Sequence, residues 1–218
     1  MSSGTERLLV RLVGADAEAT MRTAQELSGR VGGWVIGMDL LMDCGPILVG
    51  ALWAMGKPIL VDLSLLARPS VVARAVARMG KLGARWVSVS GMGGRRAVEA
   101  AVDAGGHYPD TEVTVSASPA GWLHEDELRG LGIRDTPGQQ VSRITKLALR
   151  CAADGIVFPA RELGVAVQAS GKSARLSRIA EAPDRLSSWG NMAEMADILA
   201  GGAHWVIAQE RTVIGSDQ

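Results

Sequence analysis

Gly56-Lys57-Pro58-Ile59-Leu60-Val61-Asp62-Leu63-Ser64-Leu65 reads as a buried parallel strand whose far end turns polar. The apolar run begins at Pro58, and the pre-proline residue Lys57 marks its boundary. Side chains alternate along a strand, so Asp62 and Ser64 share one face and apolar residues take the other. A near-continuous apolar run belongs to a sheet covered on both sides. Working outward, similar runs occur at residues 8–13, 34–37, 86–89, 112–116, 155–158, 176–179 and 205–208. Helical patterns separate them. Asp16 stands where an N-cap would, ahead of a helix to about Arg30. Others cover roughly 45–55, 69–81, 93–104, 125–130, 138–152 and 191–199, with one more after Pro159. Eight strands alternating with helices predict a parallel sheet, closed as a (β/α)8 TIM barrel. An open doubly wound sheet is the alternative. No Gly-x-Gly-x-x-Gly turn follows the first strand, which favours the barrel.

The composition bounds the function. The chain has 218 residues, 47% apolar and 21% charged, with zero formal net charge. This fits one globular domain spanning residues 1–218, with no linker or repeat. No basic face is implied, so no nucleic-acid partner is expected. No apolar run approaches the roughly 18 to 20 residues that span a bilayer. No secretory leader is visible, so a cytoplasmic location without membrane association is expected. Cys44 and Cys151 read as buried small hydrophobes without metal-ligand spacing, and neither metal nor cofactor is expected. The only lysines are Lys57, Lys81, Lys146 and Lys172, so lysine-dependent chemistry has few candidates. Little chain follows the last strand, which predicts a shortened or missing last helix. The seam left there calls for a partner subunit or a small packed tail.

In such a barrel the site forms at the C-terminal ends of the strands. Asp62 sits inside an apolar run and needs a counter-ion there. Arg11 interrupts the first run, Leu8-Leu9-Val10-Arg11-Leu12-Val13, and would reach Asp62 across the lumen. Such a contact is either a structural ion pair or part of a binding site. Ser88 and Ser90 end the fourth strand, before the Gly-rich turn Gly91-Met92-Gly93-Gly94, whose N–H groups suit an anion. Thr114 and Ser116 repeat the alternation on the fifth strand, with Ser118-Pro119 beyond. His107, His124 and His204 fall in loops or strand starts and read as solvated. No nucleophile–base pair is evident.

The stretch 56–65, continuing to Pro69, resembles the third-strand signature of the orotidine 5′-phosphate decarboxylase superfamily. Leu82-Gly83-Ala84-Arg85-Trp86-Val87-Ser88-Val89-Ser90, Asp126-Glu127-Leu128, Asp154-Gly155-Ile156-Val157 and Ala200-Gly201-Gly202-Ala203-His204-Trp205-Val206-Ile207 resemble later family segments, in the right order. The resemblance implies a TIM barrel, a dimer with sites near the third-strand loop, and a nucleotide or sugar-phosphate ligand. It also implies Asp-x-Lys-x-x-Asp at the end of the third strand. Here that reads Asp62-Leu63-Ser64-Leu65-Leu66-Ala67, so the Lys that protonates the reacting carbon and the second Asp are gone. Val13 and Ile36 replace charged residues of the first and second strands, and Ala208-Gln209 replaces the Gly-Arg that clamps phosphate.

The expected site therefore has Asp62, Arg11 and Ser64 as candidate catalytic residues. Ser90, Ser116, Gln209 and Arg211 are the candidate ligand contacts, Arg211 as a substitute phosphate clamp. Three readings stand. The barrel is repurposed for a nucleotide-like or phosphorylated molecule, with lyase-type chemistry if it is an enzyme. Alternatively it is a non-catalytic subunit, as a homodimer or as a heteromer with a related barrel. Last, decarboxylation persists with Arg11 in place of the Lys. Polar groups facing an open lumen favour the first reading. A lumen closed by Trp34, Leu66 or Phe158 favours the second.

Overall fold

The computed structural model describes residues 4–117, 123, 125–171, 173, 175–183 and 192–210. Eight parallel strands pair in chain order and close into a barrel. They are β1 (Leu8–Arg11), β2 (Gly33–Gly37), β3 (Ile59–Leu65), β4 (Trp86–Ser90), β5 (Glu112–Ser116), β6 (Gly155–Pro159), β7 (Ser177–Glu181) and β8 (Trp205–Gln209). The helices are α1 (Ala17–Leu27), α2 (Met38–Cys44), α3 (Ile47–Trp53), α4 (Pro69–Lys81), α5 (Gly94–Gly105), α6 (Glu125–Gly130), α7 (Pro137–Arg150), α8 (Leu163–Ser170) and α9 (Met192–Ala200). The closed sheet excludes the doubly wound alternative. Residues beyond 210, where the shortened last helix was expected, lie outside the described residues, as do His124, Lys172 and Ser118-Pro119.

Local sequence sets the helix starts. The Asp16 side chain accepts from the Ala19 N–H at 2.8 Å, as its position before α1 predicts. Thr136 and Gln139 cap α7 reciprocally, with Pro137 at the first helical position. The helix expected over 45–55 is present as α3, and a further helix that was not expected precedes it. α2 begins at Met38, directly off β2, and Gly45-Pro46 separates it from α3. Among the described residues no helix is long and apolar enough to cross a membrane.

Strand alternation divides the barrel into two apolar bodies. Outward residues such as Val10, Trp34, Ile36, Val61 and Phe158 pack under the helices. Inward residues Leu9, Val35, Leu60, Trp86, Val157, Ile179 and Ile207 fill the lumen. Alternate strands supply each lumen layer, as this architecture requires. The floor combines Trp86 and Trp205, edge to face at 5.0 Å, with Gly33 and Gly155. Large rings and absent side chains alternate, which fits the volume available. A Cβ on Gly155 would stand 2.8 Å from Thr114 Cγ2 and 3.1 Å from the Ser177 carbonyl oxygen. The Trp86 indole N–H donates to Glu112 at 2.7 Å, and Arg85 pairs with the same carboxylate.

Two sequence expectations need correction. Ile36 faces the helices, and Val35 is the lumen residue of β2. His204, read as solvated, is half-buried at the start of β8. Its Nε2 lies 2.8 Å from Arg178 Nη2, and its Nδ1 accepts from the Arg178 backbone N–H at 3.3 Å. Burial, then the charges of Arg178 and Arg7, hold its pKa below the ordinary 6.5.

Two outcomes follow. Trp86→Ala and Gly155→Val each lower unfolding free energy in urea, by about 3–5 kcal/mol for the cavity and about 1–3 kcal/mol for the overpacked strand. An unchanged midpoint for Gly155→Val would contradict the layered packing. Separately, the folded protein binds a proton at His204 less readily than the unfolded chain. The contribution of this group is intact above pH 6.5 and declines as pH falls below it towards the depressed folded value. His204→Gln removes that slope from a Tm-against-pH series.

Candidate active site at the barrel mouth

Above the aliphatic layers the lumen turns polar. Arg11 ends β1 and points inward, on the same face as Leu9. Its Nη2 donates to Asp62 Oδ2 at 2.7 Å and to Glu181 Oε1 at 3.0 Å. One nitrogen thus ties β1 to β3 and β7 across the barrel. The Arg11–Asp62 contact is the one expected from the sequence. Glu181 was missed, because the seventh run appeared to end at Ile179 whereas the strand extends two residues further. The side chains of Arg11, Asp62 and Glu181 are only 16%, 8% and 13% exposed. Burial works against the guanidinium charge, but Asp62 and Glu181 more than offset it, and the Arg11 pKa rises.

Ser64 reaches the site by an unusual backbone path. The pairing of β3 with β4 slips between Asp62 and Leu65, and Ser64 adopts a φ of +40°. That left-handed conformation is costly for a residue with a side chain. It turns the hydroxyl back to donate to Asp62 Oδ1 at 2.8 Å. Asp62 is therefore held from both sides, by Arg11 and by Ser64.

The remaining candidates divide. Ser116, fully buried, ends β5 on the lumen face, in the layer of Arg11, Asp62 and Glu181. Ser90 is buried at the end of β4, and its hydroxyl accepts from the Met92 N–H at 3.3 Å, capping the turn. Gln209 pairs in register with Arg11 at the end of β8. Arg211 lies outside the described residues. Glu210, not anticipated, accepts from the Val13 N–H at 2.9 Å and ties the ends of β8 and β1. Beneath the charges, Ser88 is fully buried and its hydroxyl has no hydrogen-bond partner among the described residues. It is the register partner of Asp62 and Thr114. A water or a ligand hydroxyl would satisfy it. Among the described residues no group of three or more His, Cys, Asp and Glu is placed to hold a metal ion.

Arg11→Met leaves two carboxylates facing each other without a cation. The expected loss is about 3–5 kcal/mol at neutral pH. It shrinks in an Asp62→Asn background, where one of the two facing charges is already gone. An equal loss in both backgrounds in denaturant melts would assign Arg11 a packing role instead.

Known proteins place this geometry. An orotidine 5′-phosphate decarboxylase of Alcanivorax borkumensis is 29% identical over 169 residues, covering 78% of this chain and 73% of the relative. That of Chromobacterium violaceum is 29% identical over 175 residues, covering 80% and 71%. The crystal structure of orotidine 5′-phosphate decarboxylase from Lactobacillus acidophilus superimposes with a TM-score of 0.77 at 17% identity, over 96% of this chain and 92% of that one, and supports the fold. The profile of the Orotidine 5′-phosphate decarboxylase / HUMPS family matches residues 10–188, and with the closed barrel and Asp62 at the end of β3 it shows that the chain belongs to that family.

Proposed function

We propose that this chain has lost the parent decarboxylation and uses the barrel mouth to bind a nucleotide-like or phosphorylated small molecule. The observation that carries this reading is the cluster of Arg11, Asp62 and Glu181, closed by hydrogen bonds inside the lumen. A barrel needing only stability does as well with apolar side chains there, because desolvation offsets the attraction within a buried ion pair. Ser116, Gln209 and the orphaned Ser88 extend the polar lining. Trp34 and Phe158 face the helices and Leu66 is exposed, so none of the three closes the lumen.

The loss of decarboxylation rests on proton supply. Ser64 stands where the family resemblance expects the Lys, and its hydroxyl serves Asp62. Arg11 is the cation that remains beside Asp62, and its raised pKa makes it a poor acid. Lys57 lies just ahead of β3, at the opposite end of the barrel, where its ammonium donates to the Val31 carbonyl. Asp62 and Glu181 remain for proton transfer to a bound ligand, which would keep a lyase-type reaction within reach of the site.

A second reading, a subunit pairing with its own copy or a related barrel, draws on one observation. Met42 and Ile47 are each 77% exposed and Leu66 is 65% exposed, on segments that follow β2 and β3. That is where the resemblance puts a dimer surface.

A thermal-shift screen with UMP, orotidine 5′-phosphate, pentose and hexulose phosphates and inorganic phosphate separates the readings. A ligand at 100 times its Kd adds about 2.7 kcal/mol to stability, a shift of a few degrees. We expect a shift with one phosphorylated compound, absent in Asp62→Ala, and no decarboxylation of orotidine 5′-phosphate. Silence across the panel favours the subunit reading. Turnover that Asp62→Ala abolishes would overturn the loss of activity.

A further inference from the structure

The zero net charge of the chain conceals an uneven surface. α7 carries Arg143, Lys146 and Arg150 and no acidic residue. Its apolar face, with Val141, Ile144 and Ala148, is buried, and all three cations are exposed. At 3.6 residues per turn, Gln139 and the three cations fall within about 60° of one another, and the cations span about 10 Å of rise. In α1, α5 and α6 an exposed arginine meets a carboxylate one turn away, Arg22 with Glu18, Arg95 with Glu99 and Arg129 with Glu125. α7 supplies no such partner from within. A cation in the last turn complements the helix dipole, which accounts for Arg150, but Arg143 and Lys146 lie further in. The stripe lines an open groove of about 360 Å³ together with Asp135, Gln139 and Ser142.

One of these cations is fixed from outside the helix. The Asp135 carboxylate accepts from Arg143 Nε at 2.7 Å and from Gln140 Nε2 at 2.6 Å. Gln140 is only 6% exposed, so a buried amide holds the carboxylate and the carboxylate holds the guanidinium. Contact through Nε leaves Nη1 and Nη2 without a partner among the described residues. Those two nitrogens form the planar fork that matches two oxygens of a phosphate. An exposed ion pair adds little to stability, so the effect of this one is orientation. α4 also lacks acidic residues, but Arg74 and Arg78 have no ion pair with a described residue to hold them. Lys146 and Arg150 make no hydrogen bond or ion pair with a described residue either, and their charges face solvent uncompensated.

We propose that this groove is a ligand site on the flank of the barrel, separate from the mouth, and that it takes a short chain of phosphates. Arg143 grips one phosphate through its free fork, and Lys146 and Arg150 neutralise the phosphates that follow along the stripe. Three cations against the one carboxylate of Asp135 leave net attraction for an anion of several charges. Size favours a small ligand over a protein. The groove falls in the lower range of small-molecule sites, whereas a stable protein interface takes roughly 800 Å² from each partner. β6 begins at Gly155, shortly after Arg150, so the stripe runs towards the end of the barrel opposite the mouth. The proposal is therefore independent of what the mouth binds.

Calorimetry with tripolyphosphate, ATP, inorganic phosphate and hexaglutamate tests it on the wild-type chain, Arg143→Gln, Arg143→Lys, Lys146→Gln and, as a control on α1, Arg22→Gln. All four positions of change are exposed, so unliganded Tm should hold throughout. We expect tripolyphosphate to bind the wild-type chain and Arg22→Gln alike, and inorganic phosphate to bind far more weakly. Arg143→Gln and Lys146→Gln should each bind tripolyphosphate about tenfold more weakly, the loss of one charged hydrogen bond. Arg143→Lys keeps the charge and loses the fork, so weaker binding there assigns the role of Asp135 to orientation. ATP binding of similar strength extends the site to nucleotides, and its absence confines the site to the free chain. Tripolyphosphate binding that the α7 variants leave unchanged places the ligand elsewhere and overturns the proposal. Full affinity in Arg143→Lys also overturns it, by reducing the groove to diffuse charge. So does hexaglutamate binding more tightly than tripolyphosphate, which would make this face a dock for an acidic peptide. Silence of the wild-type chain towards tripolyphosphate removes the site outright, and none of these outcomes alters the reading of the mouth.

Discussion

The contact of one guanidinium nitrogen with two carboxylates on facing strands organises the upper half of this barrel. Arg11 is largely buried, and a lone cation at that depth would be expelled or would disrupt the packing around it. A single carboxylate neutralises it formally. A second one, from β7, adds further attraction and a hydrogen bond, and the guanidinium stays charged despite its burial. The contact also has a mechanical effect, because β1, β3 and β7 lie on different sides of the lumen. Glu210, holding the Val13 N–H, adds a neighbouring tie between the ends of β8 and β1.

Below that contact, polarity falls in layers. Arg11, Asp62, Ser116 and Glu181 come from odd-numbered strands; Val35, Ser88, Val157 and Ile207 come from even-numbered ones beneath them. Leu9, Leu60, Thr114 and Ile179 follow, and the Trp–Gly floor closes the bottom. Ser88 is the one hydroxyl of its layer, in an otherwise aliphatic setting. The floor is where bulk is invested, so the mouth is free to carry polar groups without loosening the barrel. Stability and chemistry are thereby assigned to opposite ends of the same strands.

Much of this was legible in the sequence because it depends on local pattern. The eight strands, the Asp16 cap and the Arg11–Asp62 pair all follow from apolar runs and the charges that interrupt them. The failures have physical causes. Along a strand a slip of one residue exchanges lumen for helix layer, which is how Ile36 took the place of Val35. Glu181 was lost because Ser177 and Glu181 bracket a short apolar centre, and the run looked finished at Ile179. The Gly45-Pro46 break was readable, since proline cannot continue a helix that has reached a glycine. The left-handed turn at Ser64 was not, because nothing in Leu63-Ser64-Leu65 demands a positive φ. It arises from closing β3 against β4 with surplus residues.

That turn bears on how a decarboxylase-like barrel changes its use. In the proposed reading, the cation expected two residues after Asp62 is replaced by one on β1, across the lumen. Asp62 keeps a positive partner, and the electrostatic balance of the mouth survives the exchange. What does not survive is acidity. An ammonium can be tuned by its surroundings to give up a proton, whereas a guanidinium held by two carboxylates is tuned the opposite way. Binding needs only the charge and the geometry; proton donation to carbon needs a removable proton. On the proposed reading, moving the charge from a lysine on β3 to Arg11 on β1 separates the two functions, keeping recognition at the mouth while withdrawing the acid that the parent reaction requires.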